Sequence, residues 1–289
     1  MKTIKLSSIL LLAGSLGAFA ATEQINKQFA AQPGGKLIVD VDFGSIEIKT
    51  HASSEVAVDV LREVDRGDKA DEEAFLAERP VRFEQDGNTI TIHSRARHRE
   101  DRSSHGSQRT KAKYTITVPA QFNADLNTAG GGITVSELTG EVMARTSGGG
   151  LEFAHLHGPL DAKTAGGNIR VGDCEGAMEV KTSGGAITLE NVAGKVKGST
   201  SGGPISAKFS SPLSEEVKLE TSGGPVTLNV PENSRFDLDA TTSGGNVSSD
   251  LPVQVAAKGS RTHLKGPVNG GGKAVVLRTS GGNIRLRKS

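Results

Sequence analysis

The chain has 289 residues, enough for one large domain or two ordinary ones. Its 34 Lys and Arg stand against 33 Asp and Glu, which excludes an overall field drawing the molecule to nucleic acid or an anionic membrane. With 37 Gly, one Tyr, one Cys and no Trp, the composition suits slender strands and turns and excludes an internal disulfide and an aromatic-lined sugar groove.

The first stretch, MKTIKLSSILLLAGSLGAFAATEQ, sets Lys2 and Lys5 before an apolar run that closes on Ala18-Phe19-Ala20. Residues 1–20 read as a secretory signal peptide. The run is far shorter than the ~20 residues a membrane helix needs. No cysteine follows it for lipid attachment, and no second hydrophobic stretch follows either. The mature chain is therefore expected in the periplasm or at the cell surface, without a membrane span.

Residues 21–126 read as an N-terminal β-region. GKLIVDVDFGSIEIKT and SSEVAVDVLREV alternate with the two-residue period of strands, and Asp42-Phe43-Gly44-Ser45-Ile46 reads as a degenerate corner and first rung. DKADEEAFLAE, residues 68–78, is the one predicted helix, acidic at its start and ended near Pro80. VRFEQDGNTITIHS predicts a hairpin turning at Asp86-Gly87-Asn88, and YTITVPAQFNADLNT two strands broken at Pro119. Between them, residues 95–113 hold seven basic residues against two acidic, a solvated surface loop.

From 127 to 289 one step recurs. Thr128, Thr146, Thr164, Thr182, Thr200, Thr221, Thr242 and Thr279 each open a Thr-(Ser/Ala)-Gly-Gly step, at spacings of 18, 18, 18, 18, 21, 21 and 37. Fixed spacing of this length signals a solenoid. With the threonine as repeat position 1, apolar residues recur at positions 6, 8, 11 and 15, as in Leu151, Phe153, Leu156 and Leu160, and a glycine recurs at position 13, as in Gly158. The pattern predicts an all-β fold: a parallel β-solenoid of about eight rungs, with two short strands and two glycine corners in each. The crossover rule makes it right-handed. The threonines should point inward and pair hydroxyl to hydroxyl, so that Thr182→Val should cost little. A hexapeptide β-helix fails because positions 12 and 18 are polar, and calcium-binding nonapeptides fail for want of an aspartate column. The last strand, NIRLRKS, reads as the terminal rung, its Arg285 and Arg287 guarding an open edge.

Two outward columns are candidates for chemistry. Arg145, Lys163 and Lys181 recur at position 18 and form a candidate anion-binding row, but Asp161 and Glu179, as lateral partners for Lys163 and Lys181, favour reading the row as a neutralised, solvated face. His155 and Asp173 at position 10, with His157 and Glu175 at position 12, set imidazoles and carboxylates one rung apart, a donor set that suits zinc. Cys174 falls in an apolar column and reads as an inert core residue. No phosphate-loop pattern accompanies the glycines, and the serines sit mostly in the corner steps, so no catalytic residue and no cofactor is predicted. The leading reading is a non-enzymatic, monomeric envelope protein, a binding surface or scaffold for an envelope protein or glycan. The alternative is a polysaccharide-acting or metal-dependent enzyme using a solenoid edge.

The GSIEI start, the short acidic helix, the DGNTITI hairpin, the YTITVP strand and the serial TSGGxI rungs together resemble the bacterial putative-adhesin family of unknown function. The resemblance covers nearly the whole mature chain. It implies a secreted or membrane-tethered β-solenoid and brings no active-site residue with it. This chain departs from tethered relatives in lacking a membrane segment.

Overall fold

The structure is a computed structural model that describes residues 21–65, 68–96, 109–254 and 260–289. The predicted signal peptide, residues 1–20, and residues 97–108 of the basic loop lie outside the described residues. The last five residues of that expected loop, 109–113, are instead the start of the strand Arg109–Pro119, held by pairing on both sides with Ser45–His51 and Glu55–Asp65.

Alternation along each repeat decides which side chains face inward. Leu151 and Phe153 are buried while Glu152 is exposed, and one rung on Ile169 and Val171 are buried while Arg170 is exposed. Parallel pairing puts Leu151 opposite Ile169, and Ile169 opposite Ile187, so like residues stack in continuous inward columns. Each such side chain contributes about 1.5–3 kcal/mol on burial. Two 12-stranded sheets face each other across the columns. The fold is the predicted all-β parallel solenoid. A third, narrow ladder refines the expectation of two strands per rung: Leu138–Thr139 pairs with Leu156–His157, and single bridges continue it from His157 to Glu175 and on to Ala193.

The rungs do not stack in chain order at the ends. In one sheet the parallel strands run Arg109–Pro119, Ser45–His51, Ile133–Val135, then each repeat in turn to Val226–Val230, followed by Ile284–Lys288 and Val247–Ser249. The other runs Thr89–Ser94, Gly35–Val41, Phe122–Thr128, then each repeat to Val217–Thr221, followed by Lys273–Thr279 and Phe236–Thr242. Among the described residues each sheet thus holds ten parallel strands, two more than the expected eight or so rungs. The predicted boundary at 126/127 falls within the strand Phe122–Thr128, and the strands on either side of it share both sheets.

The C-terminal strand is therefore not the terminal rung. Ile284–Lys288 lies between Val226–Val230 and Val247–Ser249 and is hydrogen-bonded to both. The reason lies in the long spacing before Thr279. There His263–Val268 pairs antiparallel with the far edge of Phe236–Thr242, and the chain then returns to fill the place beside Val217–Thr221. Antiparallel strands close the other end too: Glu55–Asp65 on Arg109–Pro119, Ala21–Ala30 outside it, and Arg82–Asp86 on Thr89–Ser94.

The Thr-Ser-Gly-Gly corner works differently from the expected hydroxyl ladder. The buried Thr182 hydroxyl donates to the Gly167 carbonyl of the preceding rung at 2.8 Å and accepts the Gly185 N–H of its own corner at 3.2 Å. Thr146, Thr164, Thr221, Thr242 and Thr279 make the same pair of bonds, so each threonine ties one corner to the next. The second glycine is required by close approach: a Cβ on Gly167 would collide with the Gly149 carbonyl.

The one helix among the described residues, Lys69–Glu78, starts at Asp68, whose side chain accepts the Ala70 N–H at 3.1 Å. Its C-terminal carbonyls are held by a fully buried arginine, Arg62, which donates to Arg79 O at 2.7 Å and pairs with Glu23 at 3.1 Å. Phe75 packs on Phe43, ring centres 5.5 Å apart.

Candidate functional site

The basic row forms as the repeat spacing requires. Arg145, Lys163 and Lys181 are successive partners across three parallel strands, all on the outward face. Asp161 accepts from both Arg145, at 3.2 Å, and Lys163, at 2.9 Å. Glu179 does not serve Lys181 as the sequence suggested; it pairs with Lys197 of the next rung at 3.0 Å. Lys181 is exposed and has no acidic partner among the described residues. Exposed pairs of this kind contribute at most about 1 kcal/mol each, so the row is available to an anion at small cost.

The His and acid corner faces solvent as expected, but the four residues do not converge. His157 Nδ1 and Glu175 Oε2 are 3.9 Å apart, whereas Asp173 accepts from Asn191 at 3.1 Å. Among the described residues no three His, Cys, Asp or Glu side chains gather to hold a metal ion. Backbone geometry accounts for the position-10 column: His155, Asp173 and Asn191 have φ of 52°, 51° and 53°, the left-handed region in which His, Asp and Asn are enriched among non-glycine residues. Shape at the corner selects these residue types without any ligand.

Cys174 occupies the inward column. Its Sγ accepts the Leu156 N–H at 3.4 Å and donates to Gly172 O at 3.1 Å, and burial pushes the thiol above its usual range. A thiol held protonated is a poor nucleophile.

One cluster escaped the sequence reading. Asp40 accepts two bonds from Arg95, with 2.7 Å from Nε, and lies 3.5 Å from His93. Asp42 accepts the Ala96 N–H at 2.6 Å and lies 3.9 Å from Arg79. The bond to Asp40 raises Arg95 further above its ordinary value. A cavity of about 190 Å³ opens beside them, lined by Pro80, Arg82, His93, Arg95 and Ala96. The available signal was the Asp-x-Asp spacing of VDVDF, which puts both carboxylates on one face of a strand. The pairing of Asp40 with His93 across Gly35–Val41 and Thr89–Ser94 was not readable locally.

A family model, Toastrack DUF4097, matches residues 36–287. The chain belongs to the Toastrack DUF4097 family. No curated protein matches it. Among solved structures, this Toastrack chain is similar to a putative adhesin from Bacteroides fragilis, with 13% identity, a TM-score of 0.46, and 91% of this chain and 97% of that one covered. It is also similar to two proteins from Parabacteroides distasonis. One is a putative adhesin, at 14% identity and TM-score 0.44, with 91% and 97% covered. The other is a putative lipid binding protein, at 11% identity and TM-score 0.37, with 91% and 96% covered. Among the described residues of the Toastrack chain, no helix is long and apolar enough to cross a membrane.

Proposed function

We propose that this Toastrack protein is an exported, non-enzymatic envelope protein whose solenoid presents a rigid binding surface to an anionic glycan or an acidic envelope partner. The observation that carries the reading is the row Arg145, Lys163 and Lys181, held in register by three parallel strands and ending in a lysine with no acidic partner among the described residues. Strand stacking fixes neighbouring charges about 4.8 Å apart along the row, so a polyanion can meet several cations without ordering them first. The small-x-small pattern ahead of Ala21 supports export, and the antiparallel strands at the ends support a monomeric rod.

Glycan-array binding and envelope pull-down with the mature chain test the reading. Binding to anionic glycans or an acidic envelope protein that weakens with salt is the expected result. Binding to neither, or binding indifferent to salt, contradicts it.

A further inference from the structure

The helix buries a carboxylate against the first residue of the outermost strand. Glu72, in the first turn of Lys69–Glu78, is 4% exposed, and its Oε2 accepts the backbone N–H of Ala21 at 2.9 Å. Ala21 is no loose end: its register partner is Val64, so the ladder between Ala21–Ala30 and Glu55–Asp65 extends to this residue. The Ala18-Phe19-Ala20 pattern ends one bond earlier.

We propose that Glu72 is the receptor for the amino group released when the Ala20–Ala21 bond is cut during export, so that the chain's own new N-terminus is the ligand of this buried carboxylate. The inference rests on the export reading above. Hydrolysis adds water across the amide: Ala20 leaves with a carboxylate, and the Ala21 nitrogen takes up protons to become an ammonium. Before the cut that nitrogen offers one uncharged N–H. Afterwards the same atom, held by the same strand, offers a full positive charge and three donors to a carboxylate already in place. A buried carboxylate favours a charged partner with good geometry over a neutral one.

Position along the strand strengthens the argument. Ala21 and Glu23 alternate onto the same side, and Glu23 pairs with buried Arg62, which in turn holds the carbonyl of Arg79 beyond the helix. The new amine and Glu23 thus fasten the edge strand to the helix at both of its ends. Ala21–Ala30 covers the edge of Glu55–Asp65 and thereby one end of the solenoid. Cutting would then complete the cap that guards that edge.

The first test is the intact mass of the exported protein after expression of the full chain. A start at Ala21 is expected. A processed chain starting elsewhere overturns this inference alone, whereas an unprocessed chain overturns the export reading with it. The second is a cycle: the mature protein, the same protein with one extra N-terminal alanine, and both with Glu72→Gln. The extension should lower Tm by about 2–4 °C in the wild-type background and not in Glu72→Gln. An equal loss in both backgrounds overturns the pairing. Should Glu72→Gln not fold, the rate at which the α-amine reacts with a succinimidyl ester decides. Protection in the native mature protein relative to the urea-unfolded chain is expected, and equal rates overturn the proposal.

Discussion

Thr182 shows how much one repeated side chain carries. Its inward placement was legible from parity alone, but the bonds it makes were not, because they join a side chain to backbone groups of its own corner and the preceding one. Valine would keep the shape and leave the Gly167 carbonyl and Gly185 N–H without that partner, at a cost of about 1–3 kcal/mol. Urea unfolding should therefore show Thr182→Val clearly less stable than wild type and Thr182→Ser closer to it; equal stability of Val and wild type would remove the corner bonds from the account. Cys174 gives a pH prediction. Its thiol titrates higher in the folded chain than in the unfolded chain, so the folded state retains the proton longer. The stabilisation from this group is complete below the unfolded value, about 8.5, and is lost as pH rises through the folded value. Between pH 8 and 10, Tm of wild type should fall more than Tm of Cys174→Val. Parallel curves would mean that the thiol does not titrate with unfolding.

At the scale of elements, the repeat strands and the helix could be read directly. The helix pattern over 68–78 matches Lys69–Glu78 with Asp68 as its cap, since capping and burial are local signals. Stacking order was not local. Ile284–Lys288 looks like an end in the sequence because it is the last segment of the chain, yet it is hydrogen-bonded on both sides. Arg285 and Arg287 consequently do not guard an open edge. Replacing both by Thr should leave the mass measured by light scattering the same as that of the wild type, and increased self-association would mean the inserted rung is exposed. Leu277 belongs to the same rung and is fully buried. Leu277→Ala should cost about 2–5 kcal/mol, as in a core, not the smaller loss of a fraying end. A loss below about 1 kcal/mol would contradict the inserted position.

For the whole molecule, a fixed period made the solenoid and its outward columns legible in the sequence, because a period of 18 residues sets every register in the central rungs. Arg145, Lys163 and Lys181 lined up for that reason. The His and acid corner lined up too, but alignment is not convergence: left-handed backbone at His155 and Asp173 selects the same residue types that a metal would. The Asp40, Asp42 and Arg95 cluster was hidden because its strands are brought together by the exchanged rung order at the N-terminal end. The basic row is the binding surface we propose. Titrating a sulfated glycan into the mature protein and its Arg145→Gln, Lys163→Gln, Lys181→Gln triple variant tests it most directly, with a variant carrying Lys113→Gln, Lys265→Gln and Lys273→Gln as the charge-matched control. A loss of about tenfold or more is expected in the row variant, roughly 1.4 kcal/mol, with little change in the control. Equal loss in both, or none in the row variant, would contradict it.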